Sequence, residues 1–482
     1  MSDYPDPLHP DRLFPADPLT RDIARELYGE VRSLPIISPH GHTDPVWFAA
    51  NAAFSDPASL VITPDHYILR MLYSQGIALE SLGITPGADA NVALPPASVA
   101  DPRAIWRLFA SHYYLFRGTP TRLWLDWTLA AVFGCEVPLS ASNADAAYER
   151  ISRQLAEAGF RPRALFERFN IEVLVTTESP LDALDSHAAI RKSGWKGRVL
   201  TAYRPDPVVD AQTPGFWQHL QRFGELTGED VLSWRGYLAA HRSRRAYFKG
   251  FGATSTDHGH PTAQTADLTL REAEELFARV LSGARAGSVE PADAELLRAQ
   301  MLTEMVRMSL DDGLVVQIHP GSWRNHNPAL YGAFGPNLGA DIPTRTDYVG
   351  ALRPLLARFG NERSLSIIVF TLDESSYSRE LAPLAGHYPA LRLGPAWWFH
   401  DSPEGLRRFR EQTTETAGFY NTVGFNDDTR AFLSIPARHD VARRVDCAFL
   451  ARLVAEHRLP QPEAAQVAID LAYRLPKAAY RL

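Results

Sequence analysis

The stretch "LPIISPHGHTDPVW", Leu34 to Trp47, decides how the rest of the chain is read. A short apolar run ends at a proline and then presents two histidines separated by one glycine. On an extended chain alternate side chains point the same way, so His40 and His42 can face one atom at the end of a buried strand. Imidazole pairs of this kind suit a divalent transition ion such as zinc, manganese or iron. A bare His-x-His is common, and its weight depends on what stands at the ends of the other strands.

Seven further runs rich in Val, Ile and Leu or in aromatic residues, bounded by Gly, Pro or polar residues, read as buried strands. They are "IEVLVTTE" (171–178), "GRVLTAYR" (197–204), "RAYFKGFGA" (245–253), "GLVVQIHP" (313–320), "LSIIVFTL" (365–372), "ALRLGPAWW" (390–398) and "GFYNTVGFND" (418–427). Helical periodicity fills the intervals, as in "TLREAEELFARVLSGARAG" and "DYVGALRPLLARFGN". Strands alternating with helices predict an α/β fold, a (β/α)8 TIM-type barrel, although an open doubly wound sheet satisfies the same pattern. Residues 1–60 read as an N-terminal segment and the first barrel strand, and 61–165, without a strand pattern, as a mostly helical insertion. Residues 166–482 then supply the remainder of the barrel with its C-terminal helices. An insertion after the first strand would wall the barrel mouth, where sites of this architecture are built.

The 482 residues are 45% hydrophobic and 10% aromatic, enough for a large core. Forty-nine basic and 56 acidic residues are well mixed, with a net charge of -7. No basic stripe points to nucleic acid and no polybasic anchor to membrane, so a small molecule is the expected partner. The proline-rich start lacks the pattern of a signal peptide, which makes a cytoplasmic location the expectation. Cys135 and Cys447 stand far apart in apolar surroundings, so any metal should be held by nitrogen and oxygen.

Other strand ends add donors. The fifth run closes on "QIHPGSWRNHN", giving His319 and Arg324, and the eighth on "GFNDDTR", giving Asp427, Asp428 and Arg430. A convergent N/O set at the ends of separate strands is a metal-site pattern, while one of the two aspartates could instead cap the next helix. "TPDHYILRMLYSQG" places His66 and Tyr67 at a helix start. A tyrosine becomes a base near neutral pH only when a cation stabilises its phenolate, a charge that Arg430 or the metal could supply. Arg204, in "YRPD", can grip a carboxylate with two hydrogen bonds or simply pair with Asp206. Trp397 and Trp398 could offer a flat face to a sugar or pack under a loop. A second His-x-His, His258 and His260, follows a Gly/Ser/Thr-rich turn and reads as a loop element near the pocket. Lys249, in the fourth run, could be a carbamylated ligand or an outward-facing lysine.

Assembled, these motifs resemble those of the uronate isomerase (glucuronate isomerase) family of the amidohydrolase superfamily, from about residue 20 onward. His40 and His42 match its metal-binding His-x-His, and "DHY" at Asp65 to Tyr67 its His-Tyr pair. "QIHPGSWRNHN", "AWWFHD" and "DDTRAFLSIPARHD" resemble three later signatures, the last with the metal-binding aspartate at Asp428 and the arginine at Arg430. Gly41 stands where the family usually has cysteine, and "TTESP" replaces its commoner "TTDDP". The resemblance implies interconversion of an open-chain hexuronate aldose and its ketose, D-glucuronate with D-fructuronate or D-galacturonate with D-tagaturonate. It implies one divalent metal, zinc before manganese or iron, on His40, His42 and Asp428, with His319 as a further ligand or hydrogen-bond partner. Tyr67 would carry the proton, with His66, Asp428 and Arg430 in the catalytic group. Arg324, Arg204, His319 and Trp398 would bind substrate. Homo-oligomerisation is left open. The alternative is a metal-dependent hydrolase of the same superfamily acting on an amide, lactone or ester of a sugar acid; a catalytically silent sugar-acid-binding barrel is the reading from another class.

Overall fold

The computed structural model describes residues 6–87 and 101–482. Seven parallel strands form one curled sheet in chain order: Ile36–Ser38, Ile171–Glu178, Arg198–Tyr203, Ser255–His258, Val315–Ile318, Ile367–Val369 and Leu391–Leu393. Residues 421–429 fill the eighth position without forming a regular strand. They touch the seventh strand through the Leu393 N–H donated to Asn421 O at 2.8 Å and a single bridge at Thr422. They reach the first strand's exit where His42 N–H donates to Thr429 O at 3.1 Å. The eighth segment is irregular for a local reason: Gly424 has φ +81°, and a Cβ there would lie 2.5 Å from Leu471 O. Asp428 also sits at positive φ, 35°, which turns its side chain away from the run of an extended chain.

The fourth strand differs from its sequence expectation. "RAYFKGFGA" is not a strand; its first residues are the last two turns of the helix Trp234–Gly250, capped by the Ser233 hydroxyl. The strand is "STDH", Ser255–His258, entirely buried and without a single aliphatic residue. Lys249 accordingly faces outward on that helix with its ammonium on the Asp312 carbonyl, which removes it as a candidate ligand. Seven of the expected runs do contain or border a barrel segment, with strands shorter than the runs.

Between the first and second strands the described residues hold only helices and turns; residues 88–100 of that interval lie outside the description. Helices Pro102–His112 and Pro120–Ala131 bury Trp106, Phe109 and Leu125 in a cluster that also takes in Ile36 and Ile171 of the barrel wall. The interval is thus anchored to the barrel by shared apolar packing. Cys135 and Cys447 are both free. Among the described residues no helix is long and apolar enough to cross a membrane.

Candidate metal centre and substrate pocket

One pocket of about 240 Å3 opens at the C-terminal ends of the strands. His40, His42, His66, Tyr67, Arg204, His319, Arg324, Trp398, Asp428 and Arg430 all line it. Residues from six separate chain segments therefore converge on one space.

His40 and His42 leave the first strand side by side, and their Nε2 atoms lie 3.5 and 3.3 Å from Asp428 Oδ1. That oxygen is buried with no hydrogen-bond partner among the described residues. Burial pushes His42 down to about 3, against the pull of Asp428, so its imidazole is neutral. Burial favours the neutral acid at Asp428, yet His40, His42 and His319 hold it at about 2. Two imidazoles around an ionised carboxylate whose oxygen lacks a partner among the described residues are a donor set that fits a divalent transition cation. The other carboxylate oxygen, Oδ2, accepts from the indole N–H of Trp397, a partner not foreseen in the sequence.

His319 belongs to a different trio. Its Nδ1 lies 2.7 Å from Asp257 Oδ1, and its ring stacks on His40 at 4.7 Å. With Nδ1–H donated to Asp257, Nε2 is left as a buried unpartnered acceptor aimed away from the aspartate. Asp257 sits on the fourth strand, fully buried, and also faces Arg204 Nη1 at 3.0 Å. Sequence reasoning missed it because the fourth strand was placed too early.

Tyr67 stands in the first turn of helix His66–Tyr73, whose N-cap Asp65 accepts from Tyr67 N at 2.8 Å. The cap fixes where the phenol enters the pocket. Its hydroxyl donates to Asp401 Oδ1 at 3.1 Å, and Asp401 Oδ2 takes Arg438 Nη1 at 2.7 Å. Burial, reinforced by the Asp401 carboxylate, holds the phenol well above its ordinary range. The cation opposing that rise is Arg438, lying over the Trp124 ring at 3.6 Å. Arg430 instead donates to Asn337 Oδ1 at 2.8 Å. His66 stacks on Tyr67 and meets Trp398 edge-on, its ring pushed down to about 3 by burial.

The arginines are unequal. Arg204 is pinned between Asp206 at 2.7 Å and Asp257 at 3.0 Å, so the ordinary ion pair does form. Arg324 is 42% exposed and only 3.7 Å from Asp341, which leaves its charge largely available. Asp427 caps no helix; it is buried and takes His439 Nε2 at 2.9 Å. His258, read from sequence as part of a loop, closes the fourth strand itself, with His260 just beyond it.

A parallel barrel with an imidazole and carboxylate donor set at its C-terminal mouth defines the class: an α/β barrel that sets a metal-type donor group beside a polar pocket. The chain matches the glucuronate isomerase family model over residues 17–480. It is 69% identical over 475 residues to a uronate isomerase of Phenylobacterium zucineum, covering 98% of this chain and 97% of that one. A uronate isomerase of Rhizorhabdus wittichii is 66% identical over the full length of both chains. The glucuronate isomerase structure from Caulobacter crescentus superposes with a TM-score of 0.94 at 62% identity, covering 98% of this chain and 96% of the other. The chain belongs to the glucuronate isomerase family.

Proposed function

We infer that the chain is a hexuronate aldose-ketose isomerase that moves a proton between C2 and C1 of an open-chain sugar acid. The observation that carries this reading is the family match across residues 17–480, which takes in every wall of the pocket. D-Glucuronate and D-galacturonate are the substrates to test first.

His40, His42 and Asp428 would hold one divalent ion, zinc before manganese or iron. When bound, such an ion supplies an electrophile for the sugar oxygens. Arg324, the least committed guanidinium, takes the carboxylate of the substrate, and Arg204 forms a fixed wall beside it. Among the described residues Arg430 has no carboxylate partner at hydrogen-bonding distance, and it offsets negative charge developing on the sugar oxygens. Trp398 and His66 present ring surface to the sugar.

Tyr67 is the proton carrier. Its hydroxyl proton passes to Asp401 as the phenol oxygen takes the proton from C2; the phenol, which exchanges with water in the open pocket, then delivers a proton to C1 while the O2 hydroxyl proton moves to O1, and Asp401 gives its own back to Tyr67. The relay leaves Tyr67 and Asp401 as they began. It also accounts for a phenol that is protonated at rest, because Asp401 rather than solvent receives the proton.

Proton NMR of D-glucuronate and D-galacturonate in D2O with zinc- or manganese-loaded protein tests the reading. Ketose signals with deuterium entering at C2 are expected. No exchange with either sugar, together with cleavage of a sugar-acid lactone or amide, would replace it with the hydrolase alternative.

A further inference from the structure

Outside the pocket, a second donor cluster stands at the exits of the third and fourth strands. His258 and His260 form a His-x-His at the end of the fourth strand, and Asp206 lies just past the third. One donor atom from each falls within 4.8 Å of the others. None of the three lines the pocket.

The construction repeats that of the pocket: a His-x-His at one strand end meets an aspartate from the strand position before it in the ring. His260 is 3% exposed, and both its ring nitrogens are buried without a hydrogen-bond partner among the described residues. A neutral ring carries one N–H and one lone pair, and burying that lone pair is costly unless something occupies it. Its Nε2 lies 3.9 Å from Asp206 Oδ1. His258 Nε2 is 3.0 Å from the Thr256 hydroxyl, which in turn reaches the Val315 carbonyl. The hydroxyl thereby accepts from Nε2–H and leaves Nδ1 of His258 as a ligand lone pair.

We propose that Asp206, His258 and His260 form a second divalent-cation site, separate from the pocket and suited to zinc or a similar transition ion. Charge around it favours a cation. Arg204 is shared between Asp206 and Asp257, and Arg298 between Asp210 and Glu295, so carboxylates outnumber guanidinium groups. Arg245, which also faces His258, has its own partner in Asp312 at 2.6 Å. Burial keeps both imidazoles in the neutral, ligand-competent form. A cation here ties the third strand to the fourth and fixes Asp206, the residue that positions Arg204 on the pocket wall.

The test is zinc content per chain by plasma emission after loading and desalting, in the wild type, in His260→Gln and in a His40→Ala/His42→Ala double variant. Two equivalents in the wild type and one in each variant are expected. No metal in the wild type overturns the proposal, as does a single wild-type equivalent that the double variant loses, or two equivalents retained by His260→Gln. Should His260→Gln fail to fold, the double variant decides: one equivalent supports the second site, and none overturns it. These readouts are independent of turnover, so they stand apart from the fate of the isomerase reading.

Discussion

The Tyr67 hydroxyl donates to Asp401 at 3.1 Å, and the same carboxylate is held from behind by Arg438 at 2.7 Å. The phenol, carboxylate and guanidinium form a line running from the pocket into the protein. Tyr67→Phe should abolish isomerisation and leave metal content unchanged. Asp401→Asn, which keeps the shape but cannot take the proton, should lower kcat by roughly 10²–10⁴-fold, the range typical of general acid-base groups. Steady-state kinetics beside metal analysis checks both. Wild-type kcat in Asp401→Asn would remove it from the proton path.

Asp257 orients His319 and braces Arg204 at once. Asp257→Asn removes a buried charge from between two donors and leaves the guanidinium short of a partner. Stability should fall by about 3 kcal/mol, as when one member of a buried ion pair is lost. Denaturant unfolding measures it, and a change within error of zero would contradict the bracing role.

The two glycines inside the His-x-His motifs differ in their surroundings. A Cβ on Gly41 would meet nothing closer than Thr429 O at 3.5 Å, an ordinary contact. A Cβ on Gly259 would lie 2.0 Å from Arg204 Nη2. Gly41→Ala should change stability by no more than about 0.5 kcal/mol. Gly259→Ala should displace Arg204 and raise KM about tenfold, the size of one lost charge-assisted hydrogen bond. Equal kinetics in the two variants would rule out a binding role for the Arg204 wall.

Glu178 predicts a pH effect on stability away from the pocket floor. Burial pushes its carboxyl up to about 8, against the hydroxyls of Thr176 and Thr201. An unfolded glutamate titrates at about 4.3. The folded state therefore binds the extra proton between these values, and the stability this confers is complete below about 4.3 and lost as pH rises to about 8. Glu178→Gln should flatten the melting temperature across that window. An unchanged slope in the variant would show that another group is responsible.

The residues at strand ends were legible because each follows an apolar run, and His40, His42, His319 and Asp428 do converge. The fourth strand was not legible. "STDH" is buried with no aliphatic residue because its side chains are satisfied by one another's neighbours: Ser255 by Gln317 and Asp257 by His319. The helix before it was equally disguised, since its buried stripe includes Arg244 and Arg245 among Tyr237, Ala240 and Phe248. A hydrophobic reading thus slid the strand onto the helix end and turned His258 into a loop residue. The pairings of Asp401 with Tyr67 and of Trp397 with Asp428 were hidden for another reason: the partners are distant in sequence, and no local pattern announces the pairing.

A closed ring has a seam where the chain's first and last strands meet, and here the seam is thinly laced. The eighth segment reaches the first strand's exit through the Thr429 carbonyl, which takes His42 N–H and, at 3.4 Å, the Thr43 hydroxyl. His40 and His42 stand on one side of it and Asp428 on the other. A cation held by these three would be a clasp across the seam, and the energy of binding it would also count toward closing the barrel. The place where the ring is weakest as a sheet is the place where the active pocket can draw it shut.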